Sequence, residues 1–249
     1  MVDVRVRRGL QLPRRIFGSE RRVKRIVQPE LLDTLPADDP RAIRSRQDLR
    51  RVNGWMHHDA LMADALKNAL NGHAPGHITE LGAGDGSFLL RVAQIISPCW
   101  PSVTVTLLDL QKNVSTETLA AFAVLGWHAK AVVADVFARP QISSDVVLAN
   151  LFLHHFAEAR LTELLRLISQ HTKLFIALEP RRAPWPRFCS RLLWAIGCNE
   201  VTRHDAVVSV RAGFSGTELF ALWPDKQNWR LTEQRAGAFS HLFIARKTI

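Results

Sequence analysis

Along the chain, apolar positions change rhythm twice. From Asp38-Asp39-Pro40, a helix-start signal with proline at the first helical position, Leu49, Val52 and Met56 recur at helical spacing, as do Met62, Leu66 and Leu70. Gly54 is expected to divide these into two helices, and Asn71-Gly72 to stop the second. Residues 29–72 therefore read as a helical cap. From residue 77, short apolar runs alternate with amphipathic stretches, the pattern of βαβ units and a mostly parallel sheet. The runs are Ile78–Leu81, Val103–Asp109, Ala131–Asp135, Asp145–Asn150 and Leu174–Glu179; helices are expected over Phe88–Ile95, Thr116–Leu125 and Ala157–Ser169. The stretch 183–222 breaks the alternation and reads as a helical cover over a substrate cleft. Trp229–Gln234 and His241–Arg246 are separated only by Arg235 to Ser240, too little chain for a parallel crossover, so they should form an antiparallel hairpin at a sheet edge.

Composition adds limits. In 249 residues, 47% hydrophobic, there is material for one large α/β domain, or for one such domain with an appended cap, and length alone does not choose between them. The net charge of +10 is uneven: residues 1–28 hold nine basic side chains against Asp3 and Glu20, a net of +7, leaving +3 for the rest. The main body thus offers no electrostatic case for a nucleic-acid face. The basic tail is expected to be a disordered, solvated extension, with contact to phosphates or an anionic membrane surface as the alternative. Cys99, Cys189 and Cys198 are odd in number and lack metal-ligand spacing, which fits reduced thiols in a cytoplasmic protein and no metal site. No apolar stretch reaches the roughly 18 residues of a membrane span.

The chemistry concentrates at the ends of the expected strands. Glu80-Leu81-Gly82-Ala83-Gly84-Asp85-Gly86 follows a strand and opens a helix. Missing side chains at Gly82, Gly84 and Gly86 let the backbone turn tightly and approach a ligand at a helix N-terminus. The G-x-G-x-G spacing departs from the dinucleotide fingerprint, which needs glycine where this chain has Ser87. A carboxylate at Glu80 suits a ligand carrying an ammonium and a sulfonium and would oppose a pyrophosphate. Asp109 ends the second strand, where a carboxylate can accept both ribose hydroxyls. Asp135 ends the third and could accept from an adenine amino group, with Val136 and Phe137 on one side of the ring and Leu110 and Gln111 on the other.

The order ELGAGDG, LLDL, ADVF and VLANLFLHHF, over residues 73–180, resembles class I S-adenosylmethionine-dependent methyltransferases, with the later segments resembling a bacterial small-molecule branch. The resemblance implies a Rossmann-like seven-stranded sheet with an antiparallel last strand, over residues 73–249. It also implies that Glu80, Gly82, Ala83, Gly84 and Gly86 hold the methionine end of S-adenosyl-L-methionine. Asp109 would then hold the ribose and Asp135 the adenine, with Val136 and Leu110 beside the ring, and Asn150 would border the transferred methyl. His154 and His155, after the fourth strand, are candidate general bases for a hydroxyl acceptor, or simply shape the turn. Glu179, Arg181 and Arg182 read as an anion site or an ion-pair cluster; His204 and Asp205 could orient a base; His57 and His58 read as solvated or capping. Trp55, Trp185, Trp194 and Phe214 are candidate linings of an apolar acceptor pocket. The expected activity is methyl transfer to a small molecule, most simply at a hydroxyl oxygen. The alternatives are a nucleic-acid or protein methyltransferase docked by the basic tail, a non-catalytic cofactor-binding protein, and, weakest, a dehydrogenase.

Overall fold

A computed structural model of the chain describes residues 24–36, 38–138 and 144–248. The basic segment 1–23 and its expected solvation lie outside these. A four-residue helix α1 (Leu31–Thr34) precedes α2 (Pro40–Trp55), whose N-terminus is capped by the Asp39 carboxylate accepting from Arg41 N. Helix α2 runs through Gly54 without a break. The division from α3 (His58–Ala69) falls instead at His57, in the left-handed region with φ 51°.

The alternation then follows: β1 (His77–Leu81), α4 (Ser87–Ile96), β2 (Thr104–Asp109), α5 (Thr116–Val124), β3 (His128–Val133), β4 (Ser144–Asn150), α6 (Glu158–His171) and β5 (Thr172–Pro180). Three helices, α7 (Pro184–Arg191), α8 (Glu200–Ala212) and α9 (Glu218–Leu222), precede the hairpin of β6 (Trp229–Ala236) and β7 (Ser240–Lys247). The seven strands lie in the order 3-2-1-4-5-7-6. All neighbours through β5 are parallel, while β7 is antiparallel to both β5 and β6. This is the expected doubly wound sheet with its antiparallel hairpin. Strand β3 begins three residues before the apolar run Ala131–Asp135 and ends at Val133. As an edge strand it needs an apolar face on one side only, so composition misplaces its bounds.

Two apolar layers sandwich the sheet. Val105, Leu107, Val146, Leu148, Ile176 and Leu178 face α3 and α4, where Met62, Leu66, Leu89 and Val92 are buried. The alternate positions Leu108, Val147, Ala149, Phe175 and Ala177 face α6 and the Trp223–Phe243 cluster. Central strand β4 is inaccessible from Val146 to Ala149, and each such large aliphatic residue stabilises the fold by roughly 2 kcal/mol. The chain order reverses between β1 and β4, so their carboxyl ends open a crevice, the ordinary ligand position of such sheets.

Arg25, which the sequence places in the solvated tail, is part of this body. Its Nε donates to Ala212 O at 2.7 Å and its Nη2 to the carbonyls of His154 (3.1 Å) and Phe156 (2.9 Å). The guanidinium also lies 4.6 Å from the centroid of Phe214. The chain from Arg25 to Thr34 therefore crosses the carboxyl edge of the sheet.

Candidate active site

The glycine turn shows three different demands on three glycines. All have positive φ: 64° at Gly82, 56° at Gly84 and 74° at Gly86. A Cβ on Gly82 would stand 2.3 Å from Cδ2 of Phe152, and one on Gly86 would stand 2.8 Å from a Leu107 methyl. Both are packing constraints. A Cβ on Gly84 would meet nothing within 4 Å, although its backbone N–H is held at 2.8 Å by the Asp109 carboxylate. Open space beside a left-handed, pinned backbone is what a ligand cradle requires.

Glu80 stands behind that turn, at 2% exposure. Its Oε2 is buried without a hydrogen-bond partner. Burial, with Asp85 and Asp109 nearby, pushes its carboxyl well above the usual carboxylate range, against the opposing pull of Arg91. An orphaned buried carboxylate oxygen is costly to keep, and a cationic ligand group would satisfy it.

Glu80, Gly82, Ala83, Gly84, Asp109, Asn150, His154 and His155 line one cavity of about 770 Å³, at the carboxyl ends of β1, β2 and β4. That is towards the upper part of the roughly 300–1,000 Å³ range of small-molecule sites. Four expected residues are not on its wall. Gly86 forms the N-cap of α4 against β2 and α5; Leu110 is 70% exposed. Val136 is buried in the apolar layer. The exposed Asp135 carboxylate turns back to accept from Phe137 N at 2.9 Å, because β3 ends two residues before it.

Next to Asn150, Leu151 adopts φ 53°, a strained state for a branched side chain, with its N–H held by Leu178 O at 2.8 Å. Asn150 Oδ1 accepts from His58 Nδ1 at 2.8 Å, so His58 Nε2 must accept from the Ser240 hydroxyl at 2.5 Å. His58 is therefore no solvated cap residue: it is fully buried, and burial lowers its pKa against the raising effect of the Asn150 bond.

His154 is clamped. Its Nδ1 donates to Glu179 Oε2 at 2.8 Å and its Nε2 faces Glu30 Oε1 at 3.3 Å. Burial opposes its charge, but the two carboxylates outweigh burial and raise its pKa to about 9. With a carboxylate facing each ring nitrogen, the imidazolium is the favoured form at neutral pH, a form that has no lone pair to accept a proton. Glu179 also accepts from the backbone N–H groups of Phe152 and Leu153 at 3.0 and 2.8 Å, fixing the turn after β4. Glu30 is buried, which disfavours its charge, yet His154 and the Ser209 hydroxyl hold its pKa below the usual value. His155 is different: half-buried, with Nδ1 3.4 Å from Asp33 Oδ2.

The remaining candidates have structural duties. Asp205 accepts from Leu31 N and Leu32 N (2.8 and 3.0 Å), tying α1 to α8, while the His204 ring leans on it from the surface. Arg182 is buried and bonded to Gly213 O, Ser215 and Glu218. Of the expected pocket aromatics, Trp55 lines the cavity, Phe214 is in the core, and Trp185 and Trp194 point to solvent. Glu30, Asp33 and Ser240 belong to the wall without any sequence motif having marked them.

No protein-family model matches the sequence, and no curated protein matches it. The fold, however, is similar to solved methyltransferase structures. An O-methyltransferase family protein from Burkholderia thailandensis superposes with a TM-score of 0.57 at 18% identity, covering 85% of this chain and 61% of that one. The plantazolicin methyltransferase BpumL, in complex with SAH, gives 0.58 at 13% identity, covering 85% and 92%. Human N-acetylserotonin methyltransferase, in complex with SAM, gives 0.52 at 15% identity, covering 87% and 61%. The chain thus spans about three fifths of the first and last of these and nearly all of the second. At these identities the likeness establishes the fold: a Rossmann-like, mostly parallel seven-stranded sheet with an antiparallel C-terminal hairpin.

Proposed function

We propose that the protein is an S-adenosyl-L-methionine-dependent methyltransferase acting on a small molecule. The observation that carries this is the buried, unpartnered Glu80 oxygen behind a glycine turn whose middle glycine opens onto empty space. A cofactor bearing an ammonium group fits the first and a close backbone approach fits the second. Structural neighbours described with SAM or SAH bound support the same reading.

Glu80 would hold the ammonium, Gly82 to Gly84 the methionine chain, and Asp109 the ribose hydroxyls, with Asn150 bordering the reacting end. When bound, the cofactor supplies an activated methyl group. The chain then has to align an acceptor and exclude water. The cavity extends past the turn to Leu49, Val52, Met56 and Leu193, an apolar wall for the acceptor. Between the two histidines, the proton of a hydroxyl acceptor is assigned to His155, since His154 already carries one at neutral pH. Cytoplasmic residence is part of this proposal; among the described residues no helix is long and apolar enough to cross a membrane.

The deciding experiment is calorimetry with S-adenosylhomocysteine on wild type and Asp109→Ala. Binding to wild type and at least about tenfold loss in the variant is expected from losing a charged hydrogen-bond acceptor. Equal affinity in both, or binding of NADH in its place, rejects the assignment.

A further inference from the structure

Helix α7 covers the cavity and has two faces. Pro186, Cys189 and Ser190 line the cavity, and Leu193 continues that row in the 3₁₀ turn Leu193–Ile196. On the outside, Trp185, Phe188 and Leu192 share a stripe at helical spacing and are 57%, 53% and 42% exposed; Trp194 is 62% exposed. Trp185 and Phe188 stack on each other at 5.9 Å and 28°. Beside that stripe run Arg187 and Arg191, one turn apart. Between Pro180 and Asn199 there are four arginines and no acidic residue; of the four, Arg191 is exposed, Arg187 is half-buried, and Arg182 is buried against Glu218 and adds nothing to the surface. Arg44 reaches Gly197 O at 3.5 Å from α2, and Arg203 is exposed on α8. Their nearby counter-charge, Asp48, is buried at 1%, and Glu200 at the start of α8 is the first acid along the chain after this stretch.

We propose that the outer face of residues 184–197 rests on an anionic phospholipid surface. The acceptor is then an amphiphile that enters the cavity from that surface; this second clause rests on the methyltransferase reading above. An apolar stripe flanked by a basic one is the pattern of a segment lying in a membrane interface, tryptophans at headgroup depth and arginines on lipid phosphates. A second copy is a poorer occupant: a twofold contact would set the same arginines against each other. The opposite wall of the same helix belongs to the cavity, so lipid contact and acceptor entry share one element.

The experiment is co-sedimentation of the full chain with phosphatidylcholine vesicles, with and without phosphatidylglycerol, and tryptophan quenching by brominated lipid. Wild type should sediment only with the anionic vesicles and be quenched. Trp185→Ser/Trp194→Ser should bind at least about tenfold more weakly, with unchanged melting temperature and unchanged affinity for S-adenosylhomocysteine. Wild type remaining in the supernatant overturns the proposal. So does a double variant that still sediments, which puts the contact elsewhere on the chain. Light scattering that shows a dimer, broken by the double variant, overturns it in favour of a second copy. Vesicle binding does not depend on the cofactor, so its failure and the failure of the methyltransferase reading are separately visible.

Discussion

Gly84→Ala isolates the ligand demand of the glycine turn from its folding demand. At φ 56°, an alanine costs about 1–2 kcal/mol in the left-handed region. Nothing lies within 4 Å of the added methyl, so no clash is added. Gly82→Ala carries the same conformational cost plus a methyl 2.3 Å from the Phe152 ring. The ring must leave its edge-on contact with Phe156, at 5.0 Å and 77°. That contact is worth about 1 kcal/mol and an off-rotamer ring about another, for a total near 3–4 kcal/mol. The two variants should therefore separate in denaturant unfolding, with Gly84→Ala the milder. Affinity should report the reverse of what stability suggests for Gly84. A methyl forced into an occupied contact costs about 1–3 kcal/mol, which is roughly a 5- to 150-fold weaker Kd for S-adenosylhomocysteine by calorimetry. A Gly84→Ala protein that binds within about twofold of wild type would falsify the claim that a ligand occupies this space.

Glu80→Gln should raise the melting temperature of the ligand-free protein at pH 7–8 while weakening S-adenosylhomocysteine binding about tenfold or more. The raised folded-state pKa means Glu80 favours the folded state below about pH 4.5 and costs stability as pH rises towards its folded value. For His154 the pKa is raised from 6.5 to about 9, so its contribution is complete below pH 6.5 and disappears as pH climbs to 9. About 3 kcal/mol is at stake, and a melting temperature that stays flat from pH 6.5 to 9 would contradict the clamp. Arg25→Ala should cost about 2–3 kcal/mol, because charged hydrogen bonds to buried carbonyls are lost; a change below about 0.5 kcal/mol would show that the segment is not docked. His155→Ala should lower turnover about a hundredfold with little effect on cofactor affinity. Undiminished turnover would remove the proton-acceptor assignment.

Most of the sheet was legible because its central strands are buried on both faces and written in continuous apolar residues, as in Val146–Ala149. The hairpin was legible from connection length alone. Strand β3 was misplaced because an edge strand needs no such run. Glu80 and Asp109 stand where the pattern puts them, in the last two residues of β1 and β2 beside the glycine turn. The Asp135 carboxylate serves its own turn, and the direction of a side chain two residues past a strand is not written in the local pattern. His58, Glu30 and Ser240 were invisible for another reason. Their partners lie 92 to 182 residues away, and no local pattern encodes a contact between a cap helix and the last hairpin.

The docking of Arg25 and Glu30 also sets the order in which the molecule can be finished. Their partners are residues 153–156, 209 and 212, so a chain emerging from the ribosome must hold residues 25–30 unattached until α8 has been made. This wall of the cavity is thus made before its partners and is among the latest parts able to settle. Contacts this distant in sequence are slow to form, and hydrogen exchange during refolding should find the amides of Leu31 and Leu32 gaining protection after those of β4.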